Sequence, residues 1–190
     1  MNIVIFGPPG AGKGTQSNFI VKRFQLHQLS TGDLLRNEIK RQTKLGKEIS
    51  SIINSGNLVS DQIVSDLIEK YISNSNYKSR LIFDGYPRNL NQARNLNSLL
   101  IKYGQKIDIV LKLSVSLITI KKRILERSTL EQREDDNEEI AVKRFKTYEK
   151  NINPIIEFYE QTNLLKTVNG ETTISEINDE IRGLIGGIKG

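Results

Sequence analysis

At 190 residues the chain has room for one well-cored domain, and 37% apolar against 26% charged residues is an ordinary balance for a globular protein. Its 28 basic residues outnumber 22 acidic ones, a net charge of +6 that suits anionic ligands, yet no dense Lys/Arg block interleaved with aromatics is present and nucleic acid is not an expected partner. The absence of cysteine excludes disulfides and thiolate metal sites and fits a cytoplasmic chain. The apolar run Ile3–Phe6 is too short for a membrane span or a signal-peptide core before Gly7-Pro8-Pro9-Gly10 breaks it.

In chain order, Asn2–Phe6 predicts a strand and Lys13–Phe24 has helical spacing. Gln28–Ser30 reads as a short strand leading into a helix over Thr31–Lys40. Ser60 is placed to N-cap a helix carrying Ile63, Leu67, Ile68 and Tyr71. Leu81–Phe83 is a third strand, followed by a helix over Leu90–Tyr103. Ile109–Leu113 and Leu165–Val168 complete the strands, each with a helical stretch after it. With no linker, repeat or low-complexity tract, residues 1–190 form a single domain. Strand and helix in alternation predict an α/β fold with a parallel sheet covered on both faces. Ligands of such sheets sit beyond the carboxyl ends of the strands, so the polar sequences after each strand are where chemistry is expected.

The first of these is Gly7-Pro8-Pro9-Gly10-Ala11-Gly12-Lys13-Gly14-Thr15-Gln16, between a strand and a helix. Glycines let the backbone curl so that several N–H groups face one anion. The helix N-terminus adds a partial positive charge, and Lys13 adds a full one. A Gly/Pro turn that only links strand to helix needs no such lysine, so the loop is read as a phosphate cradle formed by Gly10, Ala11, Gly12, Lys13, Gly14 and Thr15. Gly14 stands where such loops usually carry Ser or Thr, and Thr15 follows one position later.

The loop in its Gly-Lys-Gly-Thr-Gln form resembles that of the adenylate kinase family, as do Leu29-Ser30-Thr31-Gly32-Asp33-Leu34-Leu35-Arg36 and Phe83-Asp84-Gly85-Tyr86-Pro87-Arg88. The likeness continues through Gln92, Arg123, Arg127, Arg133, Asp135-Asp136 and Arg144, most of the chain. It implies a phosphate-loop core with a five-stranded parallel sheet in the order 2-3-1-4-5, and reversible phosphoryl transfer from MgATP to AMP giving two ADP. It further implies an AMP-binding segment around residues 30–59 and a short lid around residues 127–137, without the long insert that can hold zinc in other members. The expected cofactor is therefore Mg²⁺ carried with ATP, without zinc, in a cytoplasmic monomer.

Taken alone, Thr31 reads as a helix cap and Arg36 as a solvated side chain. The resemblance instead puts Arg36 on the AMP phosphate, Thr31 beside its adenine, and the backbone of Asn57, Leu58 and Val59 against the same nucleotide. The stretch Gly85, Tyr86, Pro87 and Arg88 joins this site. Gly85 lets backbone approach a base, and Arg88 can fork onto phosphate. Gln92 carries a donor and an acceptor suited to an adenine edge. Asp84 either caps the following turn or holds Mg²⁺ through water. Arg123, Arg127, Arg133 and Arg144 could pair with Glu126, Glu131, Glu138 and Glu139 on the surface, but a transferring phosphoryl group asks for converging positive charge. By resemblance Arg123 and Arg127 serve ATP, Arg133 and Arg144 reach the transferring phosphoryl and AMP, and Asp135 and Asp136 orient them. Ser128 and Gln132 stand where short lids commonly carry glycine. Thr172, in the turn after the last strand, aligns with backbone that touches the ATP adenine. His27, the sole histidine, is a surface or packing residue. A pyrimidine monophosphate kinase of the same fold and a non-catalytic nucleotide-binding switch are the competing readings.

Overall fold

The computed structural model describes residues 1–131 and 138–188, the side chains of residues 127–131 excepted. Five parallel strands, β1 (Ile3–Phe6), β2 (His27–Ser30), β3 (Leu81–Asp84), β4 (Ile109–Ser114) and β5 (Leu165–Asn169), lie in the order β2-β3-β1-β4-β5. The order and sense are those implied by the resemblance. Because β1 and β3 are covered on both faces, they are continuously apolar up to their last residues. Period-two geometry sorts β1 between two cores. Ile3 and Ile5 join Leu111, Val168, Ile177 and Ile181. Val4 and Phe6 join Leu29, Phe83, Leu96, Ile155 and Tyr159 on the opposite face.

The helices are α1 (Lys13–Phe24), α2 (Thr31–Lys40), α3 (Lys44–Asn54), α4 (Asp61–Ile72), α5 (Leu90–Lys102), α6 (Leu117–Glu131), α7 (Glu138–Glu160) and α8 (Ile174–Gly186). Helix α3 is not among the elements expected above. It starts at Thr43, whose hydroxyl accepts from the Gly46 N–H (2.9 Å) and donates to Glu38 Oε2 (2.6 Å), tying α3 to the end of α2. Gly46 makes the crossing possible, because a Cβ there would lie 2.0 Å from the Glu38 carbonyl oxygen.

Ser60 occupies the N-cap position of α4 as expected, but its side chain makes no bond to the helix. Its helix start instead carries Asp61, an acid placed where the first turn's N–H groups favour negative charge. Asn89 caps α5 by accepting from the Gln92 N–H, and Thr173 with Glu176 forms a reciprocal capping box on α8. His27 is exposed, its ring edge-on to Tyr77 with centroids 4.8 Å apart, in keeping with a packing role. Helix α7 contains Pro154, which has no N–H to give the carbonyl of Lys150.

Candidate functional site

The carboxyl ends of β1, β2 and β3 open into one cleft of about 980 Å³. At one end lies the loop after β1. Gly10 and Gly12 are left-handed (φ +82° and +90°), and the Ala11 N–H closes a turn onto Pro8 O at 3.1 Å. Helix α1 begins at Lys13 with no acidic side chain in its first turn, so its N–H groups present uncompensated positive potential to the cleft. The Lys13 ammonium donates to Gly7 O (2.7 Å) and Pro8 O (3.0 Å), arching across the loop. Gly10, Ala11, Gly12, Lys13, Gly14 and Thr15 all line the wall.

Arg123, from α6, reaches the same end: it donates to Gly170 O (2.9 Å) and Ala11 O (3.4 Å), joining the phosphate loop to the turn after β5. Thr172 in that turn also lines the cleft, its hydroxyl donating to Asn169 O at 3.3 Å. Glu171, the residue between, caps α6 through the Ser116 N–H and accepts from the Thr119 hydroxyl at 2.6 Å. The Ser116 N–H and the Thr119 hydroxyl hold its carboxyl below the usual carboxylate range.

At the other end, Thr31 is buried at the start of α2 and donates to Gly85 O (2.9 Å). The Arg36 guanidinium donates to the Asp33 carboxylate one turn before it. Arg88 Nε donates to the same Gly85 carbonyl at 2.7 Å. Arg88 is open to the cleft yet ringed by protein, and that desolvation, reinforced by repulsion from Arg144 and Arg36, brings its pKa to about 10 against the pull of Asp84. Three guanidinium groups from α2, the β3–α5 turn and α7 thus face one space, an arrangement that an anion relieves. Asn57, Leu58, Val59, Gly85, Pro87 and Gln92 line the wall around them.

Asp84 ends β3 beside β1, in register with Ile5, and is buried at the cleft wall. Its Oδ2 accepts from Gln28 Nε2 at 2.9 Å. It does not cap the turn that follows, and Oδ1 receives no hydrogen bond from the described residues.

Tyr86 does not join the cleft. Its ring is fully buried in the core on the α5 side of the sheet, and its hydroxyl accepts from Asn95 Nδ2 at 3.3 Å. The turn after β3 sends the Tyr86 ring into the core while Gly85, Pro87 and Arg88 line the cleft. Arg133, Asp135, Asp136 and Gln132 lie outside the described residues, as do the side chains of Arg127 and Ser128.

Two features escaped the sequence reading. Helix α7 presents Thr147, Tyr148 and Asn151 to the cleft beside Arg144, and spacing of three and four residues from Arg144 was the signal available. Burial pushes the Tyr148 hydroxyl up to about 12, so it remains a neutral donor. Asp61 stands behind Gln92 and accepts from its Nε2 at 2.7 Å, a pairing that no local pattern announces.

A profile of the adenylate kinase family matches residues 5–164. An adenylate kinase of Pelagibacter ubique is 40% identical over 211 aligned residues, covering 97% of this chain and 99% of its own. One from Porphyromonas gingivalis is 42% identical over 177 residues (93% of this chain, 91% of its own). One from Xanthomonas campestris pv. campestris is 40% identical over 186 residues (98% and 100%). Such likeness extends well beyond the phosphate loop, into the strand ends and helices that build the far side of the cleft, and the chain belongs to the adenylate kinase family.

Proposed function

We propose that the protein transfers the terminal phosphoryl group of MgATP to AMP, reversibly, giving two ADP. The observation that carries this reading is the single cleft with two unlike ends, a phosphate loop at one and three arginines beside a buried Gln92 at the other. A nucleotide switch needs only the first end. The donor nucleotide is assigned to Gly10–Thr15, Arg123, Arg127 and Thr172. The acceptor is assigned to Thr31, Arg36, Asn57–Val59, Gly85, Pro87, Arg88 and Gln92, with Arg133 and Arg144 closing on the transferring group. Phosphoryl transfer asks for alignment and for charge stabilisation on the equatorial oxygens, with no covalent intermediate on the enzyme. Lys13, Arg88, Arg123, Arg133 and Arg144 supply that charge from several elements.

Mg²⁺ is a hard ion that keeps several waters and leans on one or two carboxylates plus substrate phosphates. The donor set fits it: Asp84 Oδ1 accepts no bond from the described residues at the cleft wall, and the Gln16 side-chain oxygen is buried in the same wall with no hydrogen-bond partner among them. Asp84 would hold the ion through water, and the ion would neutralise charge on the donor phosphates. The acceptor segment, residues 30–59, comprises α2 and α3 and is tied to α7 where Lys143 Nζ donates to Ser55 O at 2.7 Å. With a short lid over residues 127–137, of which 132–137 lie outside the described residues, it completes the assignment of one kinase domain.

The reading extends to a cytoplasmic monomer whose partners are ATP, AMP and ADP. No helix among the described residues is long and apolar enough to cross a membrane. Comparing AMP, CMP, UMP and GMP as acceptors with MgATP tests the proposal. AMP is expected to be strongly preferred; equal use of CMP or UMP would replace it with a pyrimidine kinase.

A further inference from the structure

We infer that Asp61 is a positioning residue that sets the base preference of the acceptor site by locking the Gln92 amide in one of its two orientations. The inference rests on the acceptor reading above and concerns a residue that does not itself line the cleft.

A glutamine amide is nearly symmetric in shape but not in chemistry: one arm accepts two hydrogen bonds and the other donates two. Turned by half a revolution, the same side chain offers the reverse pattern. Gln92 is only 3% exposed, and each arm has one protein partner: Oε1 accepts from the Arg88 N–H (2.7 Å) and Nε2 donates to Asp61 Oδ1 (2.7 Å). Both partners are one-way. A backbone N–H only donates, and an ionised carboxylate only accepts. Reversing the amide would set N–H against N–H at one end and oxygen against carboxylate at the other, in a buried place where unmade bonds are costly.

Asp61 is itself held. Asn89 Nδ2 donates to both its oxygens (2.9 and 3.1 Å), and Asn89 Oδ1 accepts from the Gln92 N–H (2.9 Å). The cap of α5 and the start of α4 therefore clamp one carboxylate against one amide. After these bonds Gln92 keeps one acceptor position on Oε1 and one donor position on Nε2. That pair matches an edge with a ring nitrogen acceptor next to an exocyclic amine, as in adenine. It opposes an edge with a ring N–H next to a carbonyl, as in hypoxanthine. The two bases have the same ring shape, so a lock of this kind distinguishes them by hydrogen-bond sense alone.

The test compares kcat/KM for AMP, IMP and CMP at saturating MgATP in the wild type, Asp61→Asn and Asp61→Ser, following phosphoryl transfer from labelled ATP. Asparagine keeps the size of Asp61 but presents a donor as readily as an acceptor. Serine suits a helix start and is too short to reach the amide. In both variants the AMP-to-IMP ratio is expected to fall about tenfold, the scale of one lost buried hydrogen bond. The CMP-to-AMP ratio and KM for MgATP should hold, because cytosine presents the same sense of edge as adenine. An unchanged AMP-to-IMP ratio in folded variants overturns the inference. So does a parallel rise of IMP and CMP, which marks general loosening of the pocket. A wild type that uses IMP as readily as AMP overturns the adenine reading of the site, and the lock with it.

Discussion

Replacing Arg88 by alanine separates its electrostatic work from its structural work. In the folded chain the Arg88 side chain makes one hydrogen bond to the described residues, from Nε to Gly85 O at 2.7 Å, and it is open to the cleft. Losing that bond costs about 1 kcal/mol. The same change removes repulsion with Arg144 and Arg36, which lowers the cost further. Stability should therefore move by less than about 1 kcal/mol, a Tm change within about 2–4 °C for a chain of this size. The effect on turnover should be far larger. One preorganised donor aimed at developing charge is worth about 10²–10³ in rate, or roughly 2.7–4 kcal/mol. Steady-state kinetics with AMP varied at saturating MgATP, beside a thermal melt, check both numbers. Arg88→Lys should recover only part of the loss, because an ammonium cannot fork onto two phosphate oxygens. A Tm that fell by 10 °C or more (about 3–5 kcal/mol) with kcat/KM preserved would make Arg88 a structural residue and displace the acceptor site.

Lys13→Ala should abolish turnover in a protein that still folds, since Lys13 Nζ donates to carbonyls of its own loop; circular dichroism with the coupled assay decides, and near-normal rates refute the loop assignment. Gln92→Leu should raise KM for AMP and leave KM for MgATP unchanged. It should also lower stability by about 1–3 kcal/mol by leaving the Arg88 N–H without its acceptor and Asp61 with only its Asn89 donor, and an unchanged KM for AMP would remove Gln92 from the base site. Gly46→Ala should cost about 2 kcal/mol or more, because its Cβ would lie 2.0 Å from Glu38 O and neither backbone can yield cheaply; an unchanged melting curve would mean that α2 and α3 are free to separate.

The place of the acceptor end of the cleft was legible because a parallel sheet delivers the residues after its strands to one edge, while the choice of Thr31, Arg36 and Gln92 came from the family resemblance. Thr31, Arg36, Asp84, Arg88 and Gln92 all reach the cleft wall. Tyr86 shows the limit of the argument. It is contiguous with residues that line the cleft, yet the direction of its ring is decided by the turn and by space beneath α5, which no local pattern encodes. Helix α3 was hidden by Gly46, a poor helix former retained because two backbones meet there, so that tertiary packing overrides propensity. Asp61 was invisible for a similar reason: its significance lies in a bond to a residue 31 positions away.

Pro154 gives α7 a mechanical character that its 23-residue length conceals. Before the proline the helix bears Arg144, Thr147, Tyr148 and Asn151 toward the cleft; after it, Ile155 and Tyr159 are sealed in the core. The missing N–H removes one rung of the ladder near the boundary between these two territories, so the first turns can open without disturbing the buried end, at the cost of their own bonds and of the packing of Ala141 on Ile120 and Ile124. Amide hydrogens ahead of the proline should consequently trade with deuterium through local excursions, while those behind it wait for the whole molecule to unfold. Helix α7 is then expected to behave as two segments in series, a compliant arm carrying Arg144 at the cleft and a fixed root anchored in the core.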